Sequence, residues 1–155
     1  MPRTGPRQRD GSSTTVTARE ACGRWFRTAL GDLATAEAIL TDRRLPPREA
    51  AFLAQQAAEK ALKATIALQG TEPPWTHDLL YLRIMAPVDV RTATASIELR
   101  PLWAAASTAR YPDGGDPPLE YDEVVGLLTD ASEIIGIVRL YLDGFGFTAD
   151  ELTAM

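Results

Sequence analysis

The sequence predicts an all-α fold, an antiparallel up-and-down four-helix bundle with a short extra helix after the second main helix. Three observations carry that expectation. Apolar residues recur at alternating steps of four and three, the period that lines one face of a helix. Clusters of proline and glycine separate these stretches, as turns require. No segment alternates with the period of two that a half-buried strand needs, so packed helices with short connections are the simplest architecture.

Residues 1–18, MPRTGPRQRDGSSTTVTA, have no apolar period and are rich in Gly, Pro, Ser, Thr and Arg, and they read as a disordered N-terminal tail. Cys22, Phe26, Ala29, Leu33, Ala36 and Leu40 then step by four and three along a helix over about 19–42. Pro46 and Pro47 end one element and open the next. The run AFLAQQAAEKALKATIALQG, from Ala51 to Gly70, is built from strong helix formers and stops at a glycine suited to the left-handed C′ position, giving a second helix over about 47–69. After a turn over 70–75, Thr76 reads as the N-cap of a shorter helix over 77–85, with Asp78 in its first turn and Pro87 closing it.

A third helical region over 88–110 contains Leu99, Leu102, Trp103 and Ala106. Pro101 cannot donate to Ile97, and a kink or a division is expected there. The stretch YPDGGDPP, residues 111–118, is a loop. Val124, Leu128, Ala131, Ile135, Val138 and Leu142 mark the last helix, and Leu127, Ile134 and Tyr141 widen its apolar face until it must meet helical partners. The helical domain is expected over 19–143 and a C-terminal tail over 144–155, because Gly144 and Gly146 oppose continuing the helix. The expected core contains Phe26, Leu33, Leu40, Leu62, Ile66, Leu99, Trp103, Leu128, Ile135 and Val138.

At 155 residues the chain is long enough to bury about 70% of its unfolded surface in one domain. The single cysteine, Cys22, allows no internal disulfide and no metal-ligand spacing, so neither a metal nor a cofactor is expected and a reducing cytoplasm is the expected compartment. No apolar run is long enough for a membrane span, so no membrane association is expected. The net charge of −5 divides into +2 on residues 1–18 and −7 on residues 19–155. An acidic body disfavours generic binding to a phosphate backbone, leaving only a local basic patch or the basic tail for that purpose.

The residues with chemistry cluster on the second helix and beyond it. Gln56, Lys60 and Lys63 share one stripe, Gln55 and Glu59 a neighbouring one, and Glu59 and Lys63 form an i, i+4 pair in the favourable order. This flank reads either as a solvated face or dimer seam, or as the wall of a ligand site. His77, the one histidine, is either a first-turn structural residue or a ligand contact. Arg110 either serves the dipole at a helix C-terminus or faces a phosphate. Tyr111 ends that helix beside it.

The segments AQQAAEKALKA, EPPWTHDL and ARYPD, in that order, resemble the HEPN domain (higher eukaryotes and prokaryotes nucleotide-binding), over about 24–142. The resemblance implies a four-helix bundle, usually a homodimer in prokaryotic hosts, often encoded beside a minimal nucleotidyltransferase in a toxin–antitoxin-like pair. Ligand-binding residues are then expected at Gln56, Lys60, Lys63, His77, Arg110 and Tyr111. Many members of the wider superfamily are metal-independent ribonucleases with an Arg followed four to six residues later by His. Arg110 occupies the arginine's place, but the residues after it, Tyr111 to Pro117, include no histidine. Asp113 or Asp116 would be a poor substitute, because an ionised carboxylate repels phosphate and carries no proton to give near neutrality. The expectation is therefore a nucleotide- or RNA-phosphate-binding module. The alternatives are an atypical ribonuclease using Arg110 and His77, and a purely structural oligomerisation module.

Overall fold

The computed structural model describes residues 16–110 and 117–153, excluding the side chains of residues 108–110. The helices among them are α1 (Ala18–Thr41), α2 (Pro47–Leu68), α3 (Leu79–Met85), α4 (Val88–Ala93), α5 (Leu99–Arg110), α6 (Tyr121–Asp143) and α7 (Ala149–Leu152). The four main helices, α1, α2, α5 and α6, form the bundle, with α2 packed against the other three.

A capping box starts α1: the Thr17 hydroxyl accepts from the Glu20 amide at 3.1 Å, and Glu20 Oε2 accepts from the Thr17 amide at 3.2 Å. Pro47 at the first position of α2 uses a site where no amide donor is needed. The five-residue link over 42–46 turns α2 back along α1. Eight alanines of α2, at 50, 51, 54, 57, 58, 61, 64 and 67, are buried, so this helix is covered nearly all round. Their small side chains let three neighbours approach one axis. Gly70 stands at φ +80°, the left-handed conformation expected after the helix end.

Beyond α2 the structure corrects several expectations. Thr76 does not cap α3; the cap is Asp78, whose Oδ1 accepts from the amides of Leu80 and Tyr81, and His77 lies in the loop before the helix. The helical region expected over 88–110 is divided, but at residues 94–98 rather than at Pro101. Pro101 sits in the first turn of α5, where amides lack intrahelical acceptors in any helix. The Ile97 carbonyl that a donor at that position would have reached instead accepts from Arg83 Nη1 at 2.9 Å.

Most of the expected core is buried: Phe26, Leu40, Leu62, Ile66, Leu99, Ile135 and Val138. Leu33 and Leu128 are half-buried and pack against the core's edge. Trp103 is the clear miss, 37% exposed. The buried stripe of α5 runs through Leu99, Leu102, Ala105 and Ala106, and Trp103, one residue on from Leu102, is turned about 100° away from it. On α6 the wide face formed by Val124, Leu127, Ala131, Ile134, Ile135, Val138 and Leu142 is consumed within the chain's own core.

The segment after α6 docks back on α1. Phe147 and Leu152 are buried, and Arg19 reaches Glu151 with Nε–Oε1 2.6 Å and Nη2–Oε2 2.9 Å. The same guanidinium donates to the carbonyls of Phe145 and Gly146 and lies 4.0 Å over the Phe147 ring. Hydrogen bonds from Arg19 hold the Glu151 carboxyl down at about 2. Because the folded-state value is depressed, this latch contributes its full stabilisation above the ordinary carboxylate range and loses it as pH falls toward about 2. Hydrogen exchange at Leu152 should therefore accelerate between about pH 4.5 and pH 2 relative to the core amides of α2. Glu151→Gln should exchange faster at neutral pH and lose that dependence; equal pH profiles in the two proteins would show that the latch is not held by this ion pair.

Candidate functional site

The chemistry expected on α2 is assembled around one carboxylate. Glu59 is almost wholly buried and accepts from Lys63 Nζ at 2.8 Å, from Gln55 Nε2 at 3.0 Å and from Gln56 Nε2 at 3.3 Å, while its Oε2 lies 2.9 Å from His77 Nδ1. Burial pushes the Glu59 carboxyl up, but the hydrogen bonds from Lys63, His77 and Gln55 outweigh that cost and leave it below its ordinary value. Glu59 is thus an ionised acceptor, and an ionised carboxylate 2.9 Å from Nδ1 requires that nitrogen to carry the proton. The other ring nitrogen, Nε2, makes no hydrogen bond among the described residues and is the lone-pair acceptor in the neutral imidazole. The His77 side chain is 60% exposed.

The flank of α2 is therefore not a solvated face. Gln55 and Lys63 are buried with Glu59, and Lys63 Nζ lies 5.3 Å from the centroid of the Trp25 ring. Lys60 is paired with Asp32 of α1 at 2.5 Å. Both lysines expected to meet a ligand already have a carboxylate partner.

The loop over 70–78 fixes His77 onto this network. Prolines 73 and 74 restrict the backbone, and the amide of Thr76 donates to the Pro74 carbonyl at 2.9 Å, closing a three-residue turn with Trp75 at its apex. The Thr76 hydroxyl accepts from the Asp78 amide at 3.1 Å, and the His77 carbonyl accepts from Gln55 Nε2 at 3.4 Å. Trp75 consequently stands fully exposed. Loop, α1 and the C-terminal half of α2 enclose a cleft of about 670 Å³, lined by Trp25, Lys60, Lys63, Pro73, Trp75 and His77 among others. That volume is in the range of pockets that hold small ligands.

Of the expected ligand-binding residues, Lys60, Lys63 and His77 line this cleft, and Gln56 stands behind it, bonded to Gln55 and Glu59. Tyr111 and the side chain of Arg110 lie outside the described residues. Sequence reasoning left Glu59, Gln55 and Trp75 out of the ligand-binding set. A tryptophan set between Pro-Pro and Thr in a turn is a readable sign of an exposed aromatic; nothing in the sequence pairs Glu59 with a residue 18 positions away. Cys22 is buried on the inner face of α1, and burial pushes its thiol up to about 12, so it behaves as a small apolar residue.

These features define a helical bundle with an aromatic-walled cleft and a carboxylate-oriented histidine at its rim. The family model described as HEPN domain matches residues 22–141, and the chain belongs to the HEPN domain family. Among solved structures it is similar to the crystal structure of TT1696 from Thermus thermophilus, with 27% identity and a TM-score of 0.65, covering 78% of this chain and 98% of that one. No curated protein matches the chain. Among the described residues no helix is long and apolar enough to cross a membrane.

Proposed function

We propose that the protein is a cytoplasmic, homodimeric HEPN module that binds a nucleotide, or a nucleotide portion of RNA, in the cleft between α1 and α2, and acts with a nucleotidyltransferase in a toxin–antitoxin-like pair. The observation that carries this reading is His77, held by a buried carboxylate through Nδ1, lining the same ligand-sized cleft as a fully exposed tryptophan. Stacking surface and an oriented polar atom are what recognition of a nucleotide uses. Dimerisation draws support from the outer side of α6 and the turn after it, where Val125, Leu140 and Phe145 remain exposed, Leu140 by 74%.

Native mass spectrometry of the full chain with added ribonucleoside 5′-monophosphates tests the reading. A species of twice the chain mass that takes up nucleotide is the expected result. A monomer at every concentration together with no uptake would reject it.

The His77–Glu59 pair also supports a second reading, a metal-independent ribonuclease with an atypical site, because an imidazole with Nδ1 fixed by a carboxylate is arranged as a general base. RNA cleavage that survives a chelator and disappears in His77→Ala would establish it. The binding module predicts intact RNA in both proteins.

A further inference from the structure

Resting on the nucleotide reading, the question is which part of a nucleotide the cleft recognises. The charges at the cleft weigh against phosphate. Lys63 is neutralised by Glu59 at 2.8 Å and Lys60 by Asp32 at 2.5 Å, while Glu72 on the cleft wall adds a carboxylate with no ion-pair partner among the described residues. Among the described residues that line the cleft, a phosphate meets no lysine or arginine without a carboxylate partner, and drawing either lysine toward it would strip a partly or wholly buried carboxylate of its partner.

The surfaces that are free have a different character. The Trp75 indole is fully exposed at the apex of a proline-stiffened turn, so its π-face is available and the backbone that carries it has little conformational freedom left to lose. Trp25 is already engaged by the Lys63 ammonium, which leaves Trp75 as the stacking surface. In the neutral imidazole His77 offers its lone pair at Nε2, because Glu59 holds the proton on Nδ1.

We propose that the cleft is a nucleobase site: the base stacks on Trp75 and donates an N–H to His77 Nε2, while the sugar and phosphate remain outside, in solvent or against another surface. Lys60 and Lys63 are then positioning residues that hold Asp32 and Glu59, not phosphate ligands.

Calorimetric titration of the full chain with the four ribonucleosides, their 5′-monophosphates, ribose 5-phosphate and inorganic phosphate tests this. The tightest-binding nucleoside and its monophosphate should bind within about threefold of each other, with little change between about 0.05 M and about 0.5 M salt, since no net charge is neutralised. Ribose 5-phosphate and inorganic phosphate should not bind. Trp75→Ala, a change at a fully exposed position that leaves the core untouched, should weaken both nucleoside and nucleotide by about tenfold or more. Methylating the base nitrogens that carry hydrogens should weaken binding further, by removing the donor to His77. Ribose 5-phosphate binding as tightly as the monophosphate, with nucleosides inert, would overturn the nucleobase site and leave the nucleotide reading standing. Failure of nucleosides and monophosphates alike would overturn both. Unchanged affinity in Trp75→Ala would overturn the stacking site even if nucleotides bind.

Discussion

Replacing Glu59 with alanine should destabilise the protein by about 3–5 kcal/mol, the cost expected when one member of a buried ion pair is removed and the other stays. The Lys63 ammonium, 7% exposed, would lose its counter-ion while still enclosed by α1 and α2, and its contact with the Trp25 ring would be its remaining favourable interaction. Gln55 and Gln56 would lose their acceptor in the same step, and His77 would lose the bond that seats the loop over 70–78. Urea denaturation followed by far-ultraviolet circular dichroism measures the loss. The double variant Glu59→Met, Lys63→Met should recover part of it, because removing both charges leaves no orphan. A loss in Glu59→Ala below about 1 kcal/mol would show that water reaches the carboxylate and that the network is not a buried one.

Phe26→Ala should cost about 3–5 kcal/mol, whereas Trp103→Ala, though it deletes a larger ring, should cost much less. Phe26 has no exposed surface and is among the largest fully buried side chains, so truncation leaves a cavity that the helices around α2 cannot close without moving their alanine contacts. Trp103 lies on the outer side of α5 with more than a third of its surface in water. The two chemical-denaturation midpoints, measured with unchanged m-values, decide the matter. Equal losses would mean that Trp103 is covered in the assembled protein, and sedimentation of the Trp103 variant would then report whether a second subunit covers it.

The alternation of four and three made the long helices legible, because a helix that buries one face must repeat its apolar residues at that interval. The cap at Gly70 was legible for an equally local reason, since few residues other than glycine adopt φ +80° without strain. Trp103 was misplaced because on a short amphipathic helix two adjacent apolar residues, Leu102 and Trp103, offer rival faces, and only the neighbours choose between them. Thr76 and Asp78 were rivals in the same way: both are good caps two residues apart, and the one whose carboxylate reached the free amides of Leu80 and Tyr81 prevailed.

For the site, His77 and the α2 flank stood out in the sequence by residue type alone. Their relation did not, because Glu59 and His77 are joined by a loop whose path depends on the turn at Trp75 and on the Gln55 side chain that receives it. The sequence by itself determined the helical class and the family, since each is written in local periodicity and short motifs. Only the tertiary structure decided that the lysines are spent on carboxylates while the histidine nitrogen and one indole face remain free. Pairing of charges across helices is a property of distance in the folded state, and sequence separation does not encode it.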